Sequence, residues 1–502
     1  MTCDKHKYRF YTQLQTFSAT LTSTEHPVER YYLEDLLLPQ TMETKTISME
    51  TTLSQNPFSL HLPPELWAQI FVESLPNQRY IRPDSANAPM ALCQVCSAWR
   101  SIAFSIPQLW SSISVTVSTN CDVGKMKDGV QAWLGRSGAL PLSLALGGVQ
   151  TRSAESPRLL CLDPILDEFI SFIGRWEAVK LDVTGDSSRL VLGIGALRAP
   201  LLRRFEGFQQ FHTWTLVRPL VSFIGASPFL TDIVWDLPFA AYGRGPPTAG
   251  LPWSQLTRFE SHRGIGVEEF VDVLRCCPSL VEGSFRLVTS INDGHSPPTT
   301  SLVHHSLATL TICFGHDKLE LFLKHLTLPM LHDLTVKTVL PYSLSSQSAF
   351  VQFLSRSQPP MERLTLEGVG DQSAQLIDLL LLTPYITDLS IHHRFLDLDD
   401  TFFHSLTYVE GTHQTPPCLC PKLEVLSLRA HMTSSHGVFA TMLESRYRWD
   451  APDVVYLKGL EVRFIGDRHR VGKDLDCLEV LREKGLSIDV SWGAFRDWWM
   501  PG

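Results

Sequence analysis

Cys93 and Cys96 are the first pair whose types and spacing could do chemistry, because Cys-x-x-Cys occurs both in zinc sites and in thiol–disulfide centres. A structural zinc site needs two further ligands at suitable spacing. The next paired cysteines, Cys276-Cys277 and Cys418-Leu419-Cys420, lie far along the chain, so Cys93 and Cys96 are expected to be small buried side chains. His304-His305 and His392-His393 raise the same question. Neighbours on a strand point to opposite faces, so neither pair can readily grip one metal, and both are expected at the surface. Gly193-Ile194-Gly195 and Gly264-Ile265-Gly266 lack the third glycine of a dinucleotide loop. No Walker, Gly-x-Ser-x-Gly or His-Glu-x-x-His pattern occurs. The expectation is a protein that is not an enzyme and holds no cofactor or metal. A thiol or metal enzyme centred on Cys93 and Cys96 would require stoichiometric zinc, or an activity lost in Cys96→Ser.

The 502 residues exceed what one compact core usually holds, so several domains or an elongated array are expected. With 44% apolar and 10% aromatic residues, most of the chain can bury a core. A net charge of -9, without any Lys/Arg cluster, argues against a nucleic-acid partner. Met1–Phe10 is polar and basic and lacks the apolar stretch of a signal peptide. Runs such as Leu36–Leu38 and Leu379–Leu382 are too short to span a bilayer. Sparse, irregular cysteines point to free thiols in a reduced intracellular setting, cytoplasmic or nuclear, with no membrane partner.

The elements that organise the chain begin at Leu62. Pro64 pre-sets a first helical turn, and Glu65 suits the positive end of its dipole. Apolar residues then fall at 66, 67, 70, 71 and 75, and a second stripe runs through 92, 95, 96, 99, 102 and 103. Pro107 and the Leu109-Trp110 pair close the unit. Some 50 residues make a small core, so a partner surface is expected. The order Leu-Pro-x-Glu-Leu-x-x-x-Ile-Phe, Val-Cys-x-x-Trp-Arg-x-Ile-Ala and Pro-x-Leu-Trp resembles an F-box, in the form found in a large expanded fungal family. The resemblance covers Leu62 to about Trp110. It departs from the pattern at Pro76–Pro89, an insertion expected to be a surface loop. It implies docking on the adaptor subunit of a cullin-RING ubiquitin ligase, through Leu62, Pro63, Leu66, Ile70, Leu92, Val95, Cys96 and Trp99.

Residues 1–59, rich in Thr, Ser and Gln, are expected to be a mostly disordered tail with one possible helix around Pro27–Leu38. F-box residues then occupy 60–112. From 113 to 502 the chain alternates strands and helices, starting with Ile113/Val115/Val117 and Leu142/Leu144/Leu146. The motif apolar-x-x-apolar-x-apolar then recurs from Trp176 to Leu457, its copies starting 24 to 37 residues apart, often behind a proline. Helical i, i+3/i+4 pairs such as Phe270/Val273/Leu274 and Phe350/Phe353/Leu354 stand between them. A period near 20–30 with that core matches leucine-rich-repeat physics. The usual Asn after the third apolar position is missing, so an irregular array is expected. The longest gaps imply insertions such as His404–Pro417, and Trp492, Trp498 and Trp499 are expected to cap the last unit.

The fold class expected is therefore α/β: a short three-helix F-box followed by an irregular leucine-rich-repeat-like solenoid. Outward positions on its strands, among them His332, Thr335, Arg363, Thr365, Glu424 and Ser427, would face a protein partner. Two functions follow: a substrate-recognition subunit of an SCF-type ubiquitin ligase, or an interaction scaffold whose F-box is degenerate.

Overall fold

The computed structural model describes residues 62–118, 121–149, 162–183, 193–209, 214–236, 250–287, 301–314, 323–338, 347–369, 372–409, 418–447, 454–465 and 472–493. The expected tail, its helix around Pro27–Leu38 and Trp498/Trp499 lie outside these residues. The chain divides into two compact units, Met1–Phe229 and Leu230–Gly502.

The first unit opens with α1 (Pro64–Glu73), which starts on a proline and carries Glu65 in its first turn. Next come α2 (Met90–Val95) and α3 (Ser97–Phe104). Cys96 caps α3, its Sγ accepting the Trp99 N–H at 3.4 Å. Trp67, Phe71 and Trp99 form one aromatic knot, with ring centroids 5.0 to 5.7 Å apart. A 3-10 turn at Pro107–Trp110 buries Trp110, whose indole N–H reaches the Ala103 carbonyl. Strand and helix then alternate: β1 (Ser112–Ser118), α4 (Val123–Arg136), β2 (Leu142–Val149), α5 (Asp163–Ser171), β3 (Trp176–Val183), β4 (Arg204–Gln209) and α6 (Trp214–Gly225). The four strands are parallel and lie side by side in chain order. Ile113, Leu144, Val179 and Phe205 fall in one register row, all fully buried.

The Pro76–Pro89 insertion is more than the surface loop expected of it. Ile81 is buried; its N–H donates to Ser112 Oγ at 3.0 Å, and its carbonyl takes the Ser114 N–H at 2.7 Å. Ser112 Oγ in turn donates to the Arg79 carbonyl. The loop thereby occupies polar backbone groups that β1, an edge strand, would otherwise leave open. Trp110 also stacks edge-on against Trp133 of α4, with centroids 4.9 Å apart. Residues 62–110 are thus packed against α4 and hydrogen-bonded to β1.

In the second unit the strands β5 (Asp232–Asp236), β6 (Arg258–Ile265) and β7 (Glu282–Leu287) are followed by the short β8 (Leu302–Val303). Then come β9 (Thr309–Phe314), the short β10 (Leu326–Thr327), β11 (Asp333–Thr338), β12 (Arg363–Glu367), β13 (Asp388–Leu398), β14 (Val425–Met432), β15 (Gly459–Ile465) and β16 (Ser487–Gly493). Among the described residues β8 and β10 pair only with each other. The others form one parallel sheet in chain order. Helices α7 (Val267–Cys276), α8 (Gln347–Ser357), α9 (Ser373–Leu381), α10 (Asp400–Leu406), α11 (Val438–Arg446) and α12 (Gly472–Glu483) return the chain between strands. This is the mixed α/β, leucine-rich-repeat-like class the spacing predicts. The expected insertion from His404 starts inside α10, where Phe402, Phe403 and Leu406 are all fully buried.

Two apolar rows run across this sheet. One holds Leu310, Leu334, Leu364, Leu389, Leu426 and Leu460; the other holds Ile312, Val336, Leu366, Ile391, Leu428 and Val462. Beside them, the carbonyl just ahead of eight of the strands accepts two successive N–H groups from the next repeat. Thr231, Thr257, Val281, Ala308, His332, Glu362, Thr387 and Glu424 each do so, at 2.7 to 3.1 Å. This staircase satisfies backbone groups at the strand starts in repeats without the usual asparagine.

Arginines at helix ends complete the wiring. Arg175 donates to the Leu140 carbonyl and to Ser137 Oγ, and Arg356 to the carbonyls of Leu323 and Leu326. Arg446, 1% exposed, donates to those of Leu406, Leu419 and Cys420. Arg446→Met should leave three buried carbonyls without partners and cost about 3 kcal/mol or more. Arg446→Lys should rescue little, since an ammonium cannot reproduce the planar fork. Chemical denaturation of both variants checks this.

Candidate protein-interaction surfaces

The residues implied by the F-box resemblance separate into three environments. Leu62, Leu66 and Val95 are 43%, 44% and 54% exposed, and Pro63 is also exposed. Ile70, Cys96 and Trp99 are half-buried, Trp99 being turned toward Trp67 and Phe71. Leu92 is 5% exposed and belongs to the core. The stripe read from sequence therefore splits in two. Trp67 and Phe71 point inward, while Leu66 and Ile70, spaced by four, follow one side of α1, and Leu62 lies exposed just ahead of the helix. α1 and α2 both pack on α3, so the α1 side and Val95 belong to different helices of one small unit. Phe104, absent from the sequence stripe, is also part-exposed, under the Arg136 guanidinium at 4.1 Å.

The second surface is the polar face of the sheet in the second unit. Between the apolar rows lies a register row of Ser284, Thr311, Thr335, Thr365, Ser390 and Ser427, continuing into Glu461. Ion pairs flank it. Arg258 lies 3.2 Å from Glu282, Arg363 lies 2.8 Å from Asp333, Lys337 lies 2.8 Å from Glu367, and Lys458 lies 2.7 Å from Glu424. Each joins neighbouring strands or strand starts. Exposed pairs of this kind contribute about 0–1 kcal/mol each, so they add little to stability. Of the outward positions expected to face a partner, Thr335 and Thr365 sit in the hydroxyl row, and Arg363 and Glu424 are ion-paired. His332 bonds the Met330 carbonyl. Ser427 is 5% exposed, donating to Glu461 and bonded to His392 Nε2 at 2.9 Å. It is a buried linker, not a contact point.

The candidate chemistry resolves differently. Cys93 is buried, and burial pushes its thiol up to about 11. Burial likewise raises Cys277 and Cys420 to about 12. Among the described residues no cluster of three or more His, Cys, Asp or Glu could hold a metal. The histidines expected at the surface are partly inside. His304 is 4% exposed and His393 5%. His304 Nδ1 accepts the Leu307 N–H, so its Nε2 carries the proton toward the Cys277 carbonyl at 2.9 Å. Sequence reasoning missed this because a lone His beside a strand carries no sign of its carbonyl partner. No helix among the described residues is long and apolar enough to cross a membrane.

No family model matches the chain, and no curated protein matches it. Among solved structures, the crystal structure of a TLR13–ssRNA13 complex is similar to it over 76% of this chain and 49% of that one. The identity is 9% and the TM-score 0.28; this chain spans about half the length of the TLR13 chain.

Two expected outcomes follow. Iodoacetamide at pH 7.5 should alkylate the exposed Cys121 and Cys276 quickly, and Cys93, Cys277 and Cys420 only after denaturant is added, as mass spectrometry would read. Burial, followed for His392 by the nearby Arg429 cation, holds His304 and His392 below their usual 6.5. Both favour the neutral form in the fold, so their contribution is fully present above pH 6.5 and lost as pH falls through the lowered values. Denaturation midpoints should drop below about pH 6, less so in His392→Gln.

Proposed function

We propose that the protein is the substrate-recognition subunit of a cullin-RING, SCF-type ubiquitin ligase. Residues 62–110 dock on the adaptor, and the polar sheet face of the second unit takes a protein substrate. The observation that carries this reading is the exposure of Leu62, Leu66 and Val95 on a helical unit whose own core is already filled by Trp67, Phe71 and Trp99. Large apolar side chains left in water around a complete core favour a partner helix or groove. Ile70, Pro63 and Cys96 extend that surface; Leu92 and Trp99 support it from within. In this role the protein catalyses nothing and raises the effective concentration of a bound substrate beside the transferase, inside the cell.

A second reading, an interaction scaffold with a degenerate F-box, is favoured by one observation. The helical unit is stitched to the first sheet through Ile81, Ser112 and Trp133 rather than hanging as a separate plug. Co-purification with the adaptor subunit separates the two. Leu66→Asp with Val95→Asp should reduce adaptor capture at least about tenfold while leaving the unfolding midpoint unchanged, because both side chains are already exposed. Wild-type protein that captures no adaptor leaves the scaffold reading standing.

A further inference from the structure

The open face of the sheet in the first unit holds a groove of about 530 Å³, lined by Gln78, Arg79 and Tyr80 of the insertion and by residues of β1, β2 and β3. Register partners cross its floor. Ser114, Ala145, Lys180 and Glu206 form one row; beside it Thr116 pairs with Gly147, and Asp182 with Phe208. At these positions β2 presents only Ala145 and Gly147, with Leu146 and Gly148 also along the lining, so the floor carries little side chain between a hydroxyl wall and a charged wall. Glycine inside a strand weakens it and often marks a close approach by another molecule. Internal packing does not demand one at 147. A Cβ there would meet Asp182 Cβ at 3.7 Å and Oδ2 at 3.9 Å, both ordinary contacts.

The insertion closes one side of this trough. Tyr80, on the loop bonded to edge strand β1, reaches across the sheet, its hydroxyl donating to Glu206 Oε1 of β4 at 3.2 Å. Arg204 donates to the same oxygen at 2.6 Å, and Glu206 is 7% exposed. Lys180 is left in a different position. Its ammonium stands 3.8 Å from Glu206 Oε2, beyond hydrogen-bond length, and 4.8 Å from the Phe208 ring centre, with the side chain 42% exposed. It is a part-exposed ammonium held toward the trough by Glu206 Oε2, while Arg204 and Tyr80 share Oε1.

We infer that this groove binds a small oxyanion-bearing molecule, a carboxylate or a phosphate monoester, that also carries a hydroxyl or amine. The oxyanion sits on Lys180 with Arg79 at the rim, and the body lies on the bare backbone of Gly147 and Gly148. The donor group faces Asp182, two residues further along β3. A volume of this size suits such a ligand together with part of its hydration. The insertion thus has a role separate from adaptor docking: it supplies the wall that turns an open sheet face into a cleft.

Isothermal titration of the full chain with L-malate and with glycerol 3-phosphate, at low salt, tests this. Saturable binding of at least one probe is expected, and which one binds identifies the oxyanion. Lys180→Met, which keeps the stem and removes the charge, should weaken it by about tenfold or more. Gly147→Val, which fills the trough, should abolish it, and Lys458→Met, on the other unit, should leave it unchanged. The inference is overturned if neither probe binds saturably, or if Lys180→Met binds within about threefold of wild type. Adaptor capture is not part of this readout, so failure here leaves the ligase reading untouched.

Discussion

A strand start in the second unit is held by a carbonyl that belongs to the preceding repeat, and that carbonyl serves two N–H groups at once. From Thr231 to Glu424 the same arrangement recurs, step after step, and everything else in the unit is aligned by it. Once the first N–H pair is seated, the leucine at the second motif position must fall beside the leucine before it, and a one-residue slip would turn every apolar side chain to the wrong face. The apolar rows then supply most of the stabilisation, while the carbonyls supply the alignment. Arg175, Arg356 and Arg446 do the corresponding job where helices give way to strands, tying up carbonyls that a water-filled loop would otherwise solvate.

The polar face inherits its order from this alignment. Thr311, Thr335, Thr365, Ser390 and Ser427 are neighbours because Leu310, Leu334, Leu364, Leu389 and Leu426 are. The ion pairs between adjacent strands then join residues tens of positions apart in the chain. Such a face is already partly self-paired, its charges held in a fixed order along the strands. The first unit differs in kind. Its helices place leucine and valine in solvent, and its sheet face is roofed at one side by Tyr80.

How much of this was legible in the sequence follows from the range of the interactions. The strands were, because the apolar-x-x-apolar-x-apolar motif is a local statement that two alternate side chains are buried. Helices such as α7 and α9 were legible for the same reason. Side-chain bonds to distant backbone were not. Nothing local to Arg446 announces that it serves carbonyls 26 to 40 positions away, and nothing in His304 announces Cys277. Ile81 lies among prolines and asparagines, which read as loop, yet it bonds β1. At the α1 surface, Leu66 and Trp67 are adjacent in sequence but about 100° apart around a helix, so a five-residue stripe concealed an inner and an outer half. The half-exposed candidates are legible as apolar and illegible as exposed.

The motif copies lie 24 to 37 residues apart, yet the staircase keeps the same form across short and long intervals alike. Alignment is therefore indifferent to the length of chain between one strand and the next. Residues gained or lost in those intervals leave the buried rows as they were and alter only what surrounds the strand ends. An architecture of this kind tolerates insertion and deletion between its strands without first sacrificing the stability that single core substitutions would consume. Pro76–Pro89 shows a related economy in the first unit: a connection between helices also serves as a wall.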